Sequence, residues 1–266
     1  MKSIHSEELS IAILQPDTIW ENKEDNLTQL TIHIDKLKEE HPVIDMIVLP
    51  EMFTTGFTMN PEQFAETMEG ATIEWMREIA VEQELAICGS LIIRENKKFY
   101  NRFVFVKPNG EVEFYDKKHL FSHAGENENY TAGTKKVTME YKGWKINPFV
   151  CYDLRFPAWC RNTNAADIMI FVANWPQTRI GHWQKLLPAR AIENQCFVIA
   201  ANRVGLDFNN LYYNGQSAAY DSMGNTIVNM NDNLGYTLFT INKADLSATR
   251  EKIPFLKDKD RFEFLL

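Results

Sequence analysis

Apolar runs of strand length alternate along this chain with segments whose apolar residues recur at helical spacing, and that alternation points to an α/β fold. Residues 9–14 read as a strand, Leu27, Leu30, Ile34 and Leu37 then fall on one helical face, and residues 46–49 return to strand character. The next round places Ile73, Met76, Ile79 and Ala80 on a helix and residues 85–93 on a buried strand. Residues 167–173 form another buried strand, a helix covers about 183–194, and residues 196–201 follow as a strand. Two antiparallel excursions are expected. One lies between Asn101 and Tyr115 around Pro108, Asn109 and Gly110, where Asn-Gly is a strong hairpin signal. The other spans residues 217–230 around Met223, Gly224 and Asn225. No repeat, low-complexity tract or Pro/Gly/Ser linker marks a boundary, so residues 1–266 are expected to form one domain of mixed sheets covered by helices.

At 266 residues and 45% hydrophobic content the chain has ample material for a core. Its formal net charge of −8 gives no general attraction to phosphate backbones or anionic lipid, which argues against nucleic-acid and membrane partners and for a small soluble one. Cys88, Cys151, Cys160 and Cys196 lack the close pairing of a zinc site or a small disulfide scaffold and read as reduced thiols. Residues 1–8 lack the apolar core of a signal peptide and no apolar stretch reaches bilayer-spanning length, so the expected location is the cytoplasm.

Three chemically different groups share one kind of address. Cys151 ends the apolar run 146–150 and is followed at once by Tyr152, Asp153, Leu154, Arg155, Phe156 and Pro157. Glu51 follows the apolar run 46–50 in the same way, and Lys117 stands just past a strand-like segment. A lone cysteine after an apolar run is ordinarily inert packing. The company of a carboxylate and an ammonium changes that reading, because amide hydrolysis near neutral pH needs a nucleophile, proton management and stabilisation of an oxyanion. An unassisted thiol is mostly protonated at neutral pH, which makes Glu51 the choice for its base. The same carboxyl group can pass the proton to departing ammonia and then activate water against the thioester. Lys117 is the natural oxyanion partner.

Competing readings attach to other residues. His119 and His123 stand four apart and could share a helix face, but no third ligand accompanies them, so no metal site is expected and His119 reads as a packing and hydrogen-bonding residue beside the lysine. His182 is an alternative base for the cysteine, less attractive than Glu51. Phe57, Phe121 and Trp175 are candidates for the pocket wall. Lys97–Lys98 and Lys135–Lys136 read as solvated turns, and Cys88, Cys160 and Cys196 as structural.

The segments around Glu51 (Leu-Pro-Glu), Lys117 (Lys-Lys-His-Leu) and Cys151 (Val-Cys-Tyr-Asp-Leu-Arg-Phe-Pro) resemble the glutamate, lysine and cysteine motifs of the carbon–nitrogen hydrolase, or nitrilase, superfamily, in that family's order. The similarity runs from Ile11 to about Ile241. The family's Lys-x-His-Leu form maps its lysine to Lys117 and makes Lys118 the variable position; Asp116 departs from the arginine of many relatives. The family's second glutamate maps best to Glu126, with Glu128 as the alternative. Residues 53–57, 173–176, 182–184 and 189–195 look most like the ω-amidases that hydrolyse 2-oxo acid amides such as 2-oxoglutaramate.

That resemblance implies a four-layer α-β-β-α sandwich with two mixed β-sheets, joined through its helices into a homodimer or larger homo-oligomer, working without a cofactor or metal. Glu51, Lys117, Cys151 and Glu126 would be catalytic. Tyr152, whose backbone N–H joins Lys117 at the oxyanion, would contact substrate together with Arg155, Phe57, Asn174 and Trp175. Arg155 or Arg179 could hold a substrate carboxylate in bidentate fashion. An N-carbamoyl compound or a nitrile would suit the same nucleophilic core, and a scaffold that binds a small acid without turnover is the reading from another class.

Overall fold

In the computed structural model, which describes residues 6–264, the first strand, β1 (Glu8–Gln15), shows how the layers are sorted. Its Ile11 and Ile13 enter one apolar core and its Ala12 and Leu14 another, as the two-residue period of a strand requires. The helix α1 (Lys23–Glu40) is capped by Asn22, whose side chain accepts the Asp25 N–H. It lays Leu30, Ile34 and Leu37 against the Ala12 side, each burial stabilising by about 1.5–3 kcal/mol. After β2 (Met46–Val48) and the single turn α2 (Pro61–Phe64), helix α3 (Ala71–Glu82) adds Ile73 and Met76 to that outer core. Strands β3 (Ala86–Glu95), β4 (Lys98–Val106) and β5 (Val112–Asp116) then run as antiparallel neighbours.

The second half repeats the plan. The single turn α4 (Glu126–Asn129) leads to β6 (Met139–Tyr141) and β7 (Trp144–Val150); α5 (Pro157–Cys160), β8 (Ile168–Val172), α6 (Ile180–Asn194) and β9 (Phe197–Ala201) follow. A short ribbon of β10 (Val204–Leu206) and β11 (Tyr212–Asn214) precedes β12 (Ala218–Tyr220), β13 (Thr226–Asn229), β14 (Gly235–Asn242) and helix α7 (Lys243–Lys252). One six-stranded sheet has the order β14-β1-β2-β3-β4-β5 and the other β13-β12-β9-β8-β7-β6. Each carries a parallel trio, β1–β2–β3 in the first and β7–β8–β9 in the second.

The inner faces meet in one core where Ile11, Val48, Cys88, Phe103 and Phe105 join Phe149 and Phe171, whose rings stack 4.9 Å apart. Trp183, Leu187 and Ala191 of α6 cover the second sheet. The result is the four-layer α-β-β-α sandwich of two mixed sheets. Both expected hairpins form, as β4–β5 and β12–β13. Two departures come from the lysine pairs. Lys97 does turn, but Lys98 begins β4 opposite Glu95, because Asn96 and Lys97 both take left-handed φ (50° and 62°) and close a two-residue hairpin. Lys136 is half-buried and donates to the Arg161 carbonyl at 2.8 Å, rather than standing in solvent. Among the described residues no helix is long and apolar enough to cross a membrane.

Gly89 shows how the loop after β2 comes so close to β3. A Cβ there would sit 2.8 Å from Phe53 Cδ1 and 2.9 Å from Leu49 Cβ, whereas at Gly181 in α6 nothing lies within 4 Å of that position. Gly89→Ala is therefore expected to lower unfolding free energy by about 1–3 kcal/mol. Gly181→Ala is expected to raise it by about 0.4–1 kcal/mol. Urea unfolding of the two variants checks both signs.

Candidate active site

Strand ends deliver the polar groups. Glu51 follows β2 in one sheet, Cys151 follows β7 directly and Asn174 follows β8 in the other, all past the carboxyl ends of parallel strands, where an open α/β sheet leaves a crevice. Lys117 follows β5, and Glu126 opens α4. Chain reversal at the two key positions uses left-handed backbone, φ 45° at Cys151 and 42° at Met52. A non-glycine residue held there costs about 1–3 kcal/mol and persists only where its surroundings fix it.

Asp153 supplies that fixing for the cysteine turn. Its Oδ2 accepts the Val150 N–H at 3.1 Å and the Tyr115 hydroxyl at 2.8 Å, while Oδ1 accepts the His119 N–H at 2.9 Å and lies 2.8 Å from His119 Nδ1. Tyr115 in turn accepts the Trp159 indole N–H at 2.9 Å. The His119 ring stacks on Phe156 at 3.7 Å. Two guanidinium nitrogens of Arg190 donate to the Leu154 carbonyl. Sequence reading placed His119 as a packing residue but did not identify Asp153 or Tyr115 as its partners.

The charged groups meet in a wholly buried cluster. Lys117 Nζ donates to Glu51 Oε1 at 2.8 Å and to both Glu126 oxygens at 2.9 Å. Glu51 Oε2 accepts the Asn174 N–H at 2.8 Å, and the Asn174 side chain donates to the Glu51 carbonyl at 2.6 Å. Glu126 Oε2 accepts the Phe121 N–H. Between the two candidates for a second glutamate the structure discriminates sharply: Glu126 is buried on the lysine and Glu128 is exposed. Asn101, which sequence reading passed over within a β-rich run, donates to both Glu51 and Glu126.

Electrostatics follow from this burial. Burial pushes the Cys151 thiol well above its ordinary range, the Glu51 charge adds to the rise, and Lys117 opposes it. Burial acts to lower the Lys117 ammonium, but the Glu126 and Glu51 carboxylates outweigh it and hold it above its usual range. For Glu126, burial raises the carboxyl and Lys117 offsets only part of the rise.

A cavity of about 470 Å³ including its mouth opens over Cys151. Phe57, Phe121, Tyr152, Asn174 and Trp175 line it with Arg155 and Arg179. Sequence reading had no signal for Leu211 and Tyr213, which reach the wall from the β10–β11 ribbon. The Arg155 guanidinium lies 4.6 Å from the Trp175 ring centre, and that of Arg179 5.1 Å from the ring centre of Phe121. Among the described residues neither guanidinium is paired with a carboxylate, and Asn174 Oδ1 accepts no hydrogen bond. His182 is engaged elsewhere, with its Nδ1 3.0 Å from Arg155 Nη1. His119 and His123 do not share a helix, and no group of three metal-ligating side chains occurs among the described residues.

The sandwich and its strand-end site define a nitrilase-type α/β hydrolase class, and comparison with known proteins agrees. Residues 10–251 match the carbon-nitrogen hydrolase family, and the chain belongs to that family. It is 42% identical over 258 residues to the omega-amidase YafV of Yersinia enterocolitica, covering 97% of this chain and 99% of that protein. It is 32% identical over 254 residues to the 2-oxoglutaramate amidase of Bacillus subtilis, covering 94% and 96%. The crystal structure of XC1258 from Xanthomonas campestris, a CN-hydrolase superfamily protein with an arsenic adduct in the active site, superposes with a TM-score of 0.94 at 39% identity, over 97% of this chain and all of that one.

Removing the Glu51 charge tests the electrostatics directly. Glu51→Gln is expected to lower the pH at which Cys151 ionises, since the neighbouring negative charge disappears and Lys117 remains. The pH dependence of iodoacetamide alkylation, followed by mass spectrometry at Cys151, reads that shift; an unchanged or raised midpoint contradicts it.

Proposed function

We propose that this protein is an ω-amidase, which cleaves the terminal amide of small carboxylate-bearing amides, 2-oxo acid ω-amides such as 2-oxoglutaramate, to the acid and ammonia through a cysteine thioester. The observation that carries the substrate class is the pair Arg155 and Arg179 in a cavity whose lining holds no carboxylate. The two positive charges repel: burial and then the Arg179 charge both lower Arg155. An anionic substrate end relieves that repulsion, and bidentate pairing suits a planar guanidinium. The relatives named for ω-amidase and 2-oxoglutaramate amidase activity support the same class.

The chemistry starts from a thiol whose ionisation burial and the Glu51 charge disfavour. As Cys151 Sγ attacks the amide carbonyl, Glu51 takes the thiol proton, so charge separation is confined to the step that uses it. The carbonyl oxygen becomes an oxyanion held by Lys117 Nζ and the Tyr152 N–H. Glu51 then passes its proton to the amide nitrogen, the C–N bond breaks, and ammonia leaves a thioester on Cys151. Asn174, a lining residue whose buried Oδ1 has no hydrogen-bond partner, would accept from the substrate amide N–H. Water enters, Glu51 takes one of its protons as the hydroxyl adds, and as the intermediate collapses and the C–S bond breaks Glu51 returns that proton to the sulfur, releasing the acid. Glu126 holds Lys117 in position throughout. The chain is proposed to act as one domain in the cytoplasm, as a homodimer or larger homo-oligomer.

Ammonia release from a panel of 2-oxo acid amides, N-carbamoyl amino acids and nitriles tests the reading; preference for either of the latter two overturns it. Arg155→Met is expected to raise KM for the oxo-acid amide about 10- to 100-fold, the loss of a charge-assisted hydrogen bond. Its effect on an uncharged amide is expected to be under about threefold, since that substrate has no carboxylate to lose. Lys117→Met is expected to cut kcat by about 10²–10³.

A further inference from the structure

Two buried carboxyl groups share one buried ammonium, and the structure shows what else their oxygens bond to. Glu51 Oε1 and Glu126 Oε1 each accept from Lys117, and each also accepts from Asn101 Nδ2, at 2.7 Å and 3.1 Å. Asn101 is fully buried in β4 and belongs to none of the three motifs. Its amide has a fixed orientation, because Oδ1 accepts the Ser90 hydroxyl at 2.8 Å and so Nδ2 must face the carboxylates. Ser90 Oγ in turn accepts the N–H of Met52 at 2.9 Å. Met52 follows Glu51 in the chain and has the left-handed backbone of the turn. The hydrogen bonds therefore close a ring: Met52 N–H, Ser90, Asn101, and back to the side chain of Glu51.

We infer that Asn101 is a positioning residue whose two N–H groups keep Glu51 and Glu126 ionised together, so that Glu51 can serve as base; this rests on the reading of Glu51 as the base. Lys117 alone has one positive charge for two carboxylates. A buried anion deprived of a donor is neutralised by taking up a proton, and a protonated Glu51 cannot receive one from Cys151. The groups that face this pair are Lys117 beyond β5, Cys151 beyond β7 and Tyr130 beyond α4, the hydroxyl of Tyr130 being committed to the Thr58 carbonyl. None of them replaces the two donors. Ser90 acts one step further out, locking the amide so that Oδ1 never turns toward the carboxylates.

The test is Asn101→Leu, which keeps the branching and removes both donors without adding charge. The acid limb of kcat/KM for the amide turned over fastest is expected to move up by about one pH unit, a tenfold loss of active form at a pH below the limb. KM is expected to change little. Ser90→Ala, which leaves the donors but frees the amide, moves the limb in the same direction by less, and it serves if Asn101→Leu does not fold. A substrate-free reading comes from infrared titration, in which the midpoint of the protonated-carboxyl C=O band, assigned with Glu51→Gln and Glu126→Gln, rises in both variants. Loss of rate with limb and midpoint unmoved overturns the inference and leaves Asn101 a packing residue. Activity retained in Glu51→Gln instead overturns the catalytic reading, while the infrared midpoint still decides whether Asn101 governs the ionisation.

Discussion

Lys117 with its two carboxylates is the interaction on which the rest of the site depends. Burying three ionisable groups costs several kcal/mol each before any attraction is counted, and that loss is recovered only where geometry and hydrogen bonding are nearly complete. Here every oxygen of Glu51 and Glu126 has at least one donor, drawn from Lys117, Asn101, the Phe121 N–H and the Asn174 N–H. The donors come from both sheets and from the loop before α4. The cluster therefore exists only in the assembled sandwich, and it helps to specify the packing of one sheet against the other. Deleting one partner leaves an unpaired buried charge, a loss of about 3–5 kcal/mol, so stability measurements belong beside kinetic ones at these positions.

A second constraint is the turn that presents the sulfur. Left-handed backbone at Cys151 points the side chain out of the sheet edge, and Asp153 holds the turn by accepting from the strand before it and the loop beside it. The same loop carries Lys117, two residues ahead of His119. One carboxylate thus ties the segment bearing the nucleophile to the segment bearing the ammonium. Mechanical coupling of this kind explains why a wholly buried aspartate, with no place in the chemistry, sits within the cysteine motif.

What the sequence made legible and what it hid follow the same physics. Glu51 and Cys151 stand out because each is a polar group set directly against an apolar run, and Lys117 because it stands just past a strand-like segment, all local signals. Asn101 carries no such mark: a single amide within a strand-like stretch reads as an ordinary residue until β3 and β4 pair and place Ser90 and Glu51 against it. Glu126 and Glu128 are two residues apart and locally equivalent; only the turn into α4 sends one to the lysine and the other to solvent. The pairing of β14 with β1, residues separated by nearly the length of the chain, likewise leaves no short-range trace. Fold class was legible because period-two and helical alternation are local. The hydrogen-bond ring was not, because its members meet only through long-range pairing.

The raised thiol and the raised ammonium belong to one design and not to two separate shifts. A thiolate at rest beside Lys117 would form a stable ion pair that substrate must break, and it would be open to alkylation and oxidation between turnovers. Burial first, and then the neighbouring Glu51 charge, act against this. Glu126 and Glu51 hold Lys117, whose charge offsets only part of the rise that burial and Glu51 impose on the Cys151 thiol. On the proposed mechanism, a proton moved to Glu51 during attack would neutralise it and weaken its hold on Lys117. That would free the ammonium toward the oxyanion as the oxyanion forms. On that proposal, proton transfer and electrostatic stabilisation are coupled through one carboxylate, because Lys117 donates to Glu51 at 2.8 Å.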